Sequence, residues 1–136
     1  MLSLGNELSH FLKPGDVIFF QGELGVGKTT LIRGILKGFG FKGFVKSPSY
    51  TLIELYDIAT YQFVHVDLYR VEDPRSVLEL GLTDYLTSDS ILLIEWPKNN
   101  FQYLPAPTLW CDIRIADQTR ELTLTADEKC LSQLAK

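Results

Sequence analysis

The sequence predicts an α/β protein: a three-layer fold whose central sheet is mainly parallel, with antiparallel hairpins added to it. Three observations lead there. A short apolar run, Asp16-Val17-Ile18-Phe19-Phe20, is followed by a glycine-rich loop and then by Leu31, Ile32, Ile35, Leu36 and Phe39 at helical spacing, the order of a strand–loop–helix unit. Ile91-Leu92-Leu93-Ile94 carries no alternation, as in a strand covered on both faces in the middle of a parallel sheet. Two pairs of alternating segments, Thr51 to Tyr56 with Gln62 to Val66 and Leu109 to Ile115 with Arg120 to Thr125, are joined by short links and read as hairpins.

Taken in order, Ser3 to Leu12 reads as a short amphipathic helix with Leu4, Leu8, Phe11 and Leu12 on one face, Ser3 as its cap and Lys13-Pro14-Gly15 as its stop. The first strand runs into Gly22-Glu23-Leu24-Gly25-Val26-Gly27-Lys28-Thr29, which matches the P-loop pattern G-x-x-x-x-G-K-[ST] letter for letter. Backbone N–H groups from Glu23, Leu24, Gly25, Val26 and Gly27 in such a loop make an anion-binding concavity, and the helix N-terminus adds positive partial charge. Lys28 can reach phosphate as a point charge, and the Thr29 hydroxyl is a hard oxygen ligand suited to Mg²⁺. The helix after the loop ends near Gly38 and Gly40.

Phe41 to Ser47 mixes aromatic and basic residues and reads as a surface segment with one anchored ring. Ser47-Pro48-Ser49-Tyr50-Thr51 clusters hydroxyls around a proline. It reads either as a plain turn or as a switch loop whose Ser47, Ser49 and Thr51 hydroxyls sense Mg²⁺ and the terminal phosphate. The first hairpin delivers Asp67 at the end of its second strand, and Glu95 ends the run Ile91 to Ile94. Carboxylates at the carboxyl ends of strands, in a chain with a P-loop, are candidates for the Mg²⁺ shell or for positioning a water. His65 reads as packed and hydrogen-bonded rather than catalytic. Asp73-Pro74 opens a helix with Val77, Leu78 and Leu80 on its apolar side and Gly81 at its end, and Leu82 to Leu86 adds a helical turn. After a proline-bearing loop, Lys98 to Pro107, and the second hairpin, Asp127 caps a short helix to Leu134. This tail shows no catalytic pattern.

The chain has 136 residues, enough for one domain over residues 1–136 with a substantial core. Its net charge is −4 and its pI about 5.1, against a protein that grips nucleic acid by itself through a broad basic face. No apolar run approaches the length of a membrane span, and Met1-Leu2-Ser3-Leu4-Gly5 lacks the basic and apolar pattern of a signal peptide. Cys111 and Cys130 are isolated and read as reduced thiols. These features point to the cytoplasm.

The chain resembles one family, TsaE, also called YjeE, the bacterial tRNA threonylcarbamoyladenosine biosynthesis ATPase. The resemblance rests on Gly-Glu-Leu-Gly-Val-Gly-Lys-Thr-Thr at 22 to 30, Ser-Pro-Ser-Tyr-Thr-Leu at 47 to 52, His-Val-Asp-Leu-Tyr-Arg at 65 to 70, Glu-Leu-Gly-Leu-Thr-Asp-Tyr-Leu at 79 to 86 and Ile-Glu-Trp-Pro at 94 to 97. It implies a cytoplasmic protein with a small P-loop NTPase-like fold that binds ATP or ADP with Mg²⁺. It also implies a TsaB–TsaD-type complex as partner, tRNA reached only through that complex, and no membrane or DNA. The transferred group is threonylcarbamoyl, placed on N6 of adenosine 37 of tRNAs reading codons that start with A, while the TsaE protein hydrolyses ATP to reset the complex. By position, Lys28 holds phosphates, Thr29 Mg²⁺ and Thr30 the α-phosphate side. Ser47 to Thr51 is switch I, Asp67 and Glu95 are essential carboxylates near Mg²⁺, and Trp96 is an aromatic beside the nucleotide. The chain departs from the family in having Ser49 where Thr is usual, which keeps a hydroxyl. It also largely lacks a short extended segment before the first helix, which implies a missing strand or part of a base pocket.

Two other functions fit a P-loop. A nucleoside or nucleotide kinase needs a second substrate pocket and an arginine-bearing lid, whereas Arg33, Arg70 and Arg75 are scattered. A nucleotide-gated interaction module would bind ATP and barely turn it over. Intact Lys28, Thr29, Asp67 and Glu95 favour hydrolysis.

Overall fold

The computed structural model describes residues 2–23, 27–46, 52–97 and 101–126. The first helix, α1 (Leu2–Ser9), is followed by β1 (Val17–Gln21), α2 (Lys28–Gly38), β2 (Ile53–Ile58), β3 (Tyr61–Asp67), β4 (Ser90–Glu95), β5 (Leu109–Ala116) and β6 (Thr119–Ala126). Short 3₁₀ segments span Pro74–Leu80, Leu82–Tyr85 and Phe101–Tyr103. Among the described residues the strands form one six-stranded sheet in the order β2-β3-β4-β1-β5-β6.

The four inner strands, β3, β4, β1 and β5, are parallel, and the edges β2 and β6 are antiparallel hairpin partners of β3 and β5. β4 is buried along its whole length, which explains its lack of alternation: each face meets a different apolar layer. On one face Ile18, Phe20, Phe63, Ile91 and Leu93 pack with Leu8 of α1 and Leu31, Ile32, Ile35 and Leu36 of α2. On the other, Val17, Phe19, Val64, Val66, Leu92 and Ile94 pack with Leu68, Val77 and Leu82. The predicted three layers are therefore present, the third being 3₁₀ turns and loops rather than long helices.

Some local expectations need correction. The first helix stops at Ser9; of the expected apolar face Leu8 and Leu12 are buried in the core while Leu4 stays exposed, and Gly5 and Ser9 are buried beside Leu8. Gly5 lies against the backbone of Leu31 and Gly34, and Ser9 against Gly38, so a side chain at any of these glycines would collide with the facing helix. Close approach at these glycines, together with the packing of Leu8, sets the pairing of α1 with α2. The segment Pro74–Leu80 is 3₁₀, begun by Asp73, whose carboxylate accepts from Arg75 N–H at 3.0 Å. Its tighter pitch turns Leu78 outward, 62% exposed, and leaves Val77 to fill the core. The first hairpin is tighter than expected, with strands running to Ile58 and from Tyr61 around Ala59, which takes φ 54°. Phe41 packs edge-on against Tyr56 at 5.1 Å while Phe44 is 77% exposed, so one ring of that loop is anchored and the other is not. Cys111 is buried in β5. The expected helix from Asp127 lies outside the described residues, as does Cys130.

Candidate functional site

Three strand ends converge on the start of α2. β1 ends at Gln21, β3 at Asp67 and β4 at Glu95, with Phe20 and Asp67 both in register with Glu95. Parallel strands that end together leave their last side chains at the carboxyl edge of the sheet, where open α/β folds place ligands. The chain crosses that edge through the glycine-rich loop. Its last residue, Gly27, holds φ 109°, a left-handed conformation that a Cβ would strain, and α2 begins at once with Lys28. Gly27 offers no side-chain cap to α2, and the first-turn N–H groups of a helix are suited to an anion.

Lys28 is 5% exposed. Its Nζ donates to the carbonyls of Gly22 at 2.5 Å and Glu23 at 3.0 Å, and lies 3.9 Å from the centroid of the Trp96 ring. Burial pulls the Lys28 ammonium below the usual lysine range, while the charges of Glu95 and Asp67 pull it back up. Thr29, one residue on, places Oγ1 at 3.3 and 3.5 Å from the two Glu95 carboxylate oxygens. Thr30 sits half-buried in the same first turn.

Asp67 and Glu95 are 5% and 2% exposed. Like charges at opposing positions of neighbouring strands destabilise a sheet, so this pair needs cations, and Lys28 supplies one. Asp67 Oδ1 accepts from Tyr69 N–H at 3.0 Å, and Asp67 N–H donates to the Leu52 carbonyl at 3.0 Å. That second bond ties the exit of the hydroxyl-rich segment to the acidic pair. Glu95 Oε2 lies 2.6 Å from His65 Nε2, fully inside the core. Trp96, directly after Glu95, takes φ 59°, an outlier for a bulky residue. The twist turns its ring over Lys28 and against Tyr69, 4.9 Å between centroids.

The structure thus gathers Gly27, Lys28, Thr29, Asp67, Glu95 and Trp96 from three separate parts of the sequence. Leu24, Gly25, Val26, Ser47, Ser49 and Thr51 lie outside the described residues, and Glu23 stands exposed at the mouth of the loop. Two carboxylates and a hydroxyl are hard oxygen donors. Among the described residues no group of three or more His, Cys, Asp or Glu side chains forms a metal cage. That sparse set fits Mg²⁺, which keeps several waters and is held by one or two carboxylates together with substrate phosphates.

One part of the site carried no signal in the sequence. A cleft of about 420 Å³ opens beside the loop, bounded by Gln21, Gly22, Glu23, Trp96, Asp112 and Arg114. Gln21 Oε1 is buried there without a hydrogen-bond partner among the described residues, and Arg114 pairs with Asp112 at 3.2 Å. Asp112 and Arg114 look ordinary along the chain. They reach the site because β5 runs on past β1 beyond the pairing of Gln21 with Asp112.

Comparison with known proteins bears on the family and the fold. The family model described as threonylcarbamoyl adenosine biosynthesis protein TsaE matches residues 1–123. The chain is 40% identical to the tRNA threonylcarbamoyladenosine biosynthesis protein TsaE of Haemophilus influenzae, over 93% of this chain and 83% of that one. It is 39% identical to the protein of the same name from Bacillus subtilis, over 85% and 73%. The crystal structure of Bacillus subtilis YdiB superposes with a TM-score of 0.81 at 29% identity, covering 98% of this chain and 84% of that one. The chain therefore has an α/β P-loop fold and belongs to the TsaE family of tRNA threonylcarbamoyladenosine biosynthesis.

Proposed function

We propose that the chain is an ATPase that binds and hydrolyses Mg-ATP and supports a TsaB–TsaD-type complex in forming N6-threonylcarbamoyladenosine at position 37 of tRNAs reading codons that start with A. The observation that carries the reading is the convergence of Lys28, Thr29, Asp67 and Glu95 on an uncapped helix N-terminus. The free N–H groups of α2 receive phosphate oxygens. Lys28 exchanges the Gly22 and Glu23 carbonyls for phosphate and neutralises charge on it. Thr29 and Asp67 would hold Mg²⁺, which would supply positive charge at the phosphates. Glu95, fixed beside Thr29, orients the attacking water. Trp96 shields Lys28 from solvent on the nucleotide side, and the neighbouring cleft has a volume suited to the nucleoside part of the ligand. Ser47, Ser49 and Thr51 act as the switch, reporting through Leu52 to Asp67.

Net charge supports a partner-held tRNA, because a chain of charge −4 is a poor polyanion binder by itself. Among the described residues no helix is long and apolar enough to cross a membrane, and a cytoplasmic location fits the tRNA pathway. A kinase would need arginines facing the transferred phosphoryl group, whereas Arg75 is tied to exposed Asp73 at 3.3 Å.

The test is Mg²⁺-dependent ATP hydrolysis by the purified protein, alone and with TsaB and TsaD proteins from the same source. The expected result is a slow basal rate that the partners raise. A rate indifferent to partners that fail to bind removes the complex from the proposal. A phosphorylated product on adding nucleosides or nucleoside monophosphates makes the protein a kinase.

A further inference from the structure

We infer that His65 is a positioning residue for hydrolysis: its Nε2–H holds the Glu95 carboxylate from inside the core and sets the direction in which Glu95 presents its remaining acceptor. The inference rests on the proposed role of Glu95 in ATP hydrolysis.

Strand geometry puts the ring where it can do this. Phe63, His65 and Asp67 alternate onto the face of the sheet that carries α2, as do Leu93 and Glu95 on the neighbouring strand. His65 is in register with Leu93, so it reaches Glu95 along the diagonal, one layer beneath the acidic pair. Its side chain is 0% exposed, and Nε2 stands 2.6 Å from Glu95 Oε2. Nothing else touches the ring's polar atoms among the described residues: Nδ1 is buried with no hydrogen-bond partner.

That unpaired nitrogen identifies the tautomer. An ionised carboxylate only accepts hydrogen bonds, so the nitrogen facing it carries the hydrogen. Nδ1 then keeps a bare lone pair, and a buried acceptor without a partner is better tolerated than a buried N–H without one. A histidine placed only to fill space would give up both nitrogens to an apolar side chain at no loss. Here one is spent on Glu95 and the other left unsatisfied, which makes sense if the bond to Glu95 is what the position supplies.

The consequence for Glu95 is orientational. Its carboxylate is gripped from two sides, by His65 at Oε2 and by the Thr29 hydroxyl within 3.5 Å of both oxygens. A glutamate has three side-chain torsions, and Lys28 is close enough to attract it. With the inner grip removed, Glu95 turns toward Lys28 and the geometry for ordering water is lost, while phosphate binding by Lys28 and α2 remains.

The test compares His65→Leu, which fills the space without a donor, with His65→Gln, whose amide nitrogen can take the place of Nε2. Single-turnover ATP hydrolysis and the Kd for a fluorescent ADP analogue are measured on each, with circular dichroism to confirm the fold. His65→Leu is expected to slow hydrolysis about 10–100-fold, the usual effect of removing a hydrogen-bond partner behind a site ligand, with Kd within about twofold because that partner does not touch the nucleotide. His65→Gln is expected to restore most of the rate. Wild-type hydrolysis in His65→Leu, or equal losses in both variants with the fold intact, overturns the inference. Long-range ¹H–¹⁵N correlation of the imidazole in the unsubstituted protein tests it without any variant: the proton belongs on Nε2, and an unprotonated Nε2 overturns it. Glu95→Gln in the same assay separates the two levels. If Glu95→Gln hydrolyses ATP normally, the role given to Glu95 fails and this inference with it. If Glu95→Gln is slow and His65→Leu is not, only the role of His65 fails.

Discussion

Burying an ammonium costs free energy unless charge and hydrogen bonds compensate it, and Lys28 shows both sides of that account. Burial lowers its pKa from 10.5, more than Glu95 and Asp67 restore. The unfolded chain therefore binds this proton more tightly than the folded one. Lys28 consequently costs the ligand-free fold stability at neutral pH, and that cost fades as pH rises through the folded value toward 10.5. Phosphate reverses the preference, because it favours the charged lysine. ADP affinity should weaken as pH rises along an alkaline limb that begins below 10.5, where free Lys28 starts to lose its proton, as titration calorimetry would show. Lys28→Arg should lack the limb, since guanidinium stays protonated, and Lys28→Ala should lose about 2–5 kcal/mol of nucleotide binding below the limb, a difference that shrinks above it. The role proposed for Glu95 lies in the chemical step instead. Glu95→Gln should leave the ADP Kd within a few-fold and lower the hydrolysis rate about 10²-fold or more. Unchanged turnover in that variant would remove Glu95 from the mechanism.

At the scale of elements, the pairing of α1 with α2 holds the start of α2 in place. The two helices meet through Gly5 and Gly34, with main chain against main chain, and through the Ser9 side chain against Gly38. Gly34→Ala should destabilise the protein by about 1–3 kcal/mol, the usual cost of overpacking, read as a lower urea midpoint with unchanged slope. Alanine has the higher intrinsic helix propensity by about 1 kcal/mol. A stabilised Gly34→Ala would therefore mean that the helices do not touch there. Such a contact was not legible in the sequence, where Gly38 reads only as a helix stop and Leu4 as a core residue. Helical periodicity records which side chains are apolar, and a contact made by missing side chains leaves no apolar trace. The hairpins, the central strand and the P-loop helix were legible because each is written in local terms: alternation, an unbroken apolar run, or glycines before a helical repeat.

Over the whole molecule, stability is centred on β1, β3 and β4, whose side chains fill both apolar layers, while β6 at the edge is largely exposed or half-buried. Leu93→Ala, at a fully buried position, should cost about 2–5 kcal/mol. Leu122→Ala in β6 should cost clearly less. Amide hydrogen exchange should be slowest in β1 and β4 and faster in β6, and uniform protection would contradict a graded sheet. This gradient places the rigid centre directly beneath Asp67 and Glu95, with Leu52 held to it by the bond from Asp67 N–H.

The sequence by itself determined the fold class, the P-loop motif with Lys28 and Thr29, the strands that end in Asp67 and Glu95, and the family. These depend on residue type and on spacing within one or two elements, which the chain carries in linear form. The tertiary structure decided how those pieces meet. It placed Asp67 in register with Glu95 and the Trp96 ring over Lys28, brought Asp112 and Arg114 to the cleft, and seated His65 behind Glu95 with one nitrogen paired and the other not. Each of these is set by strand order and register between segments far apart in the chain. A hydrogen bond spanning 30 residues, as between His65 and Glu95, has no period or motif to announce it.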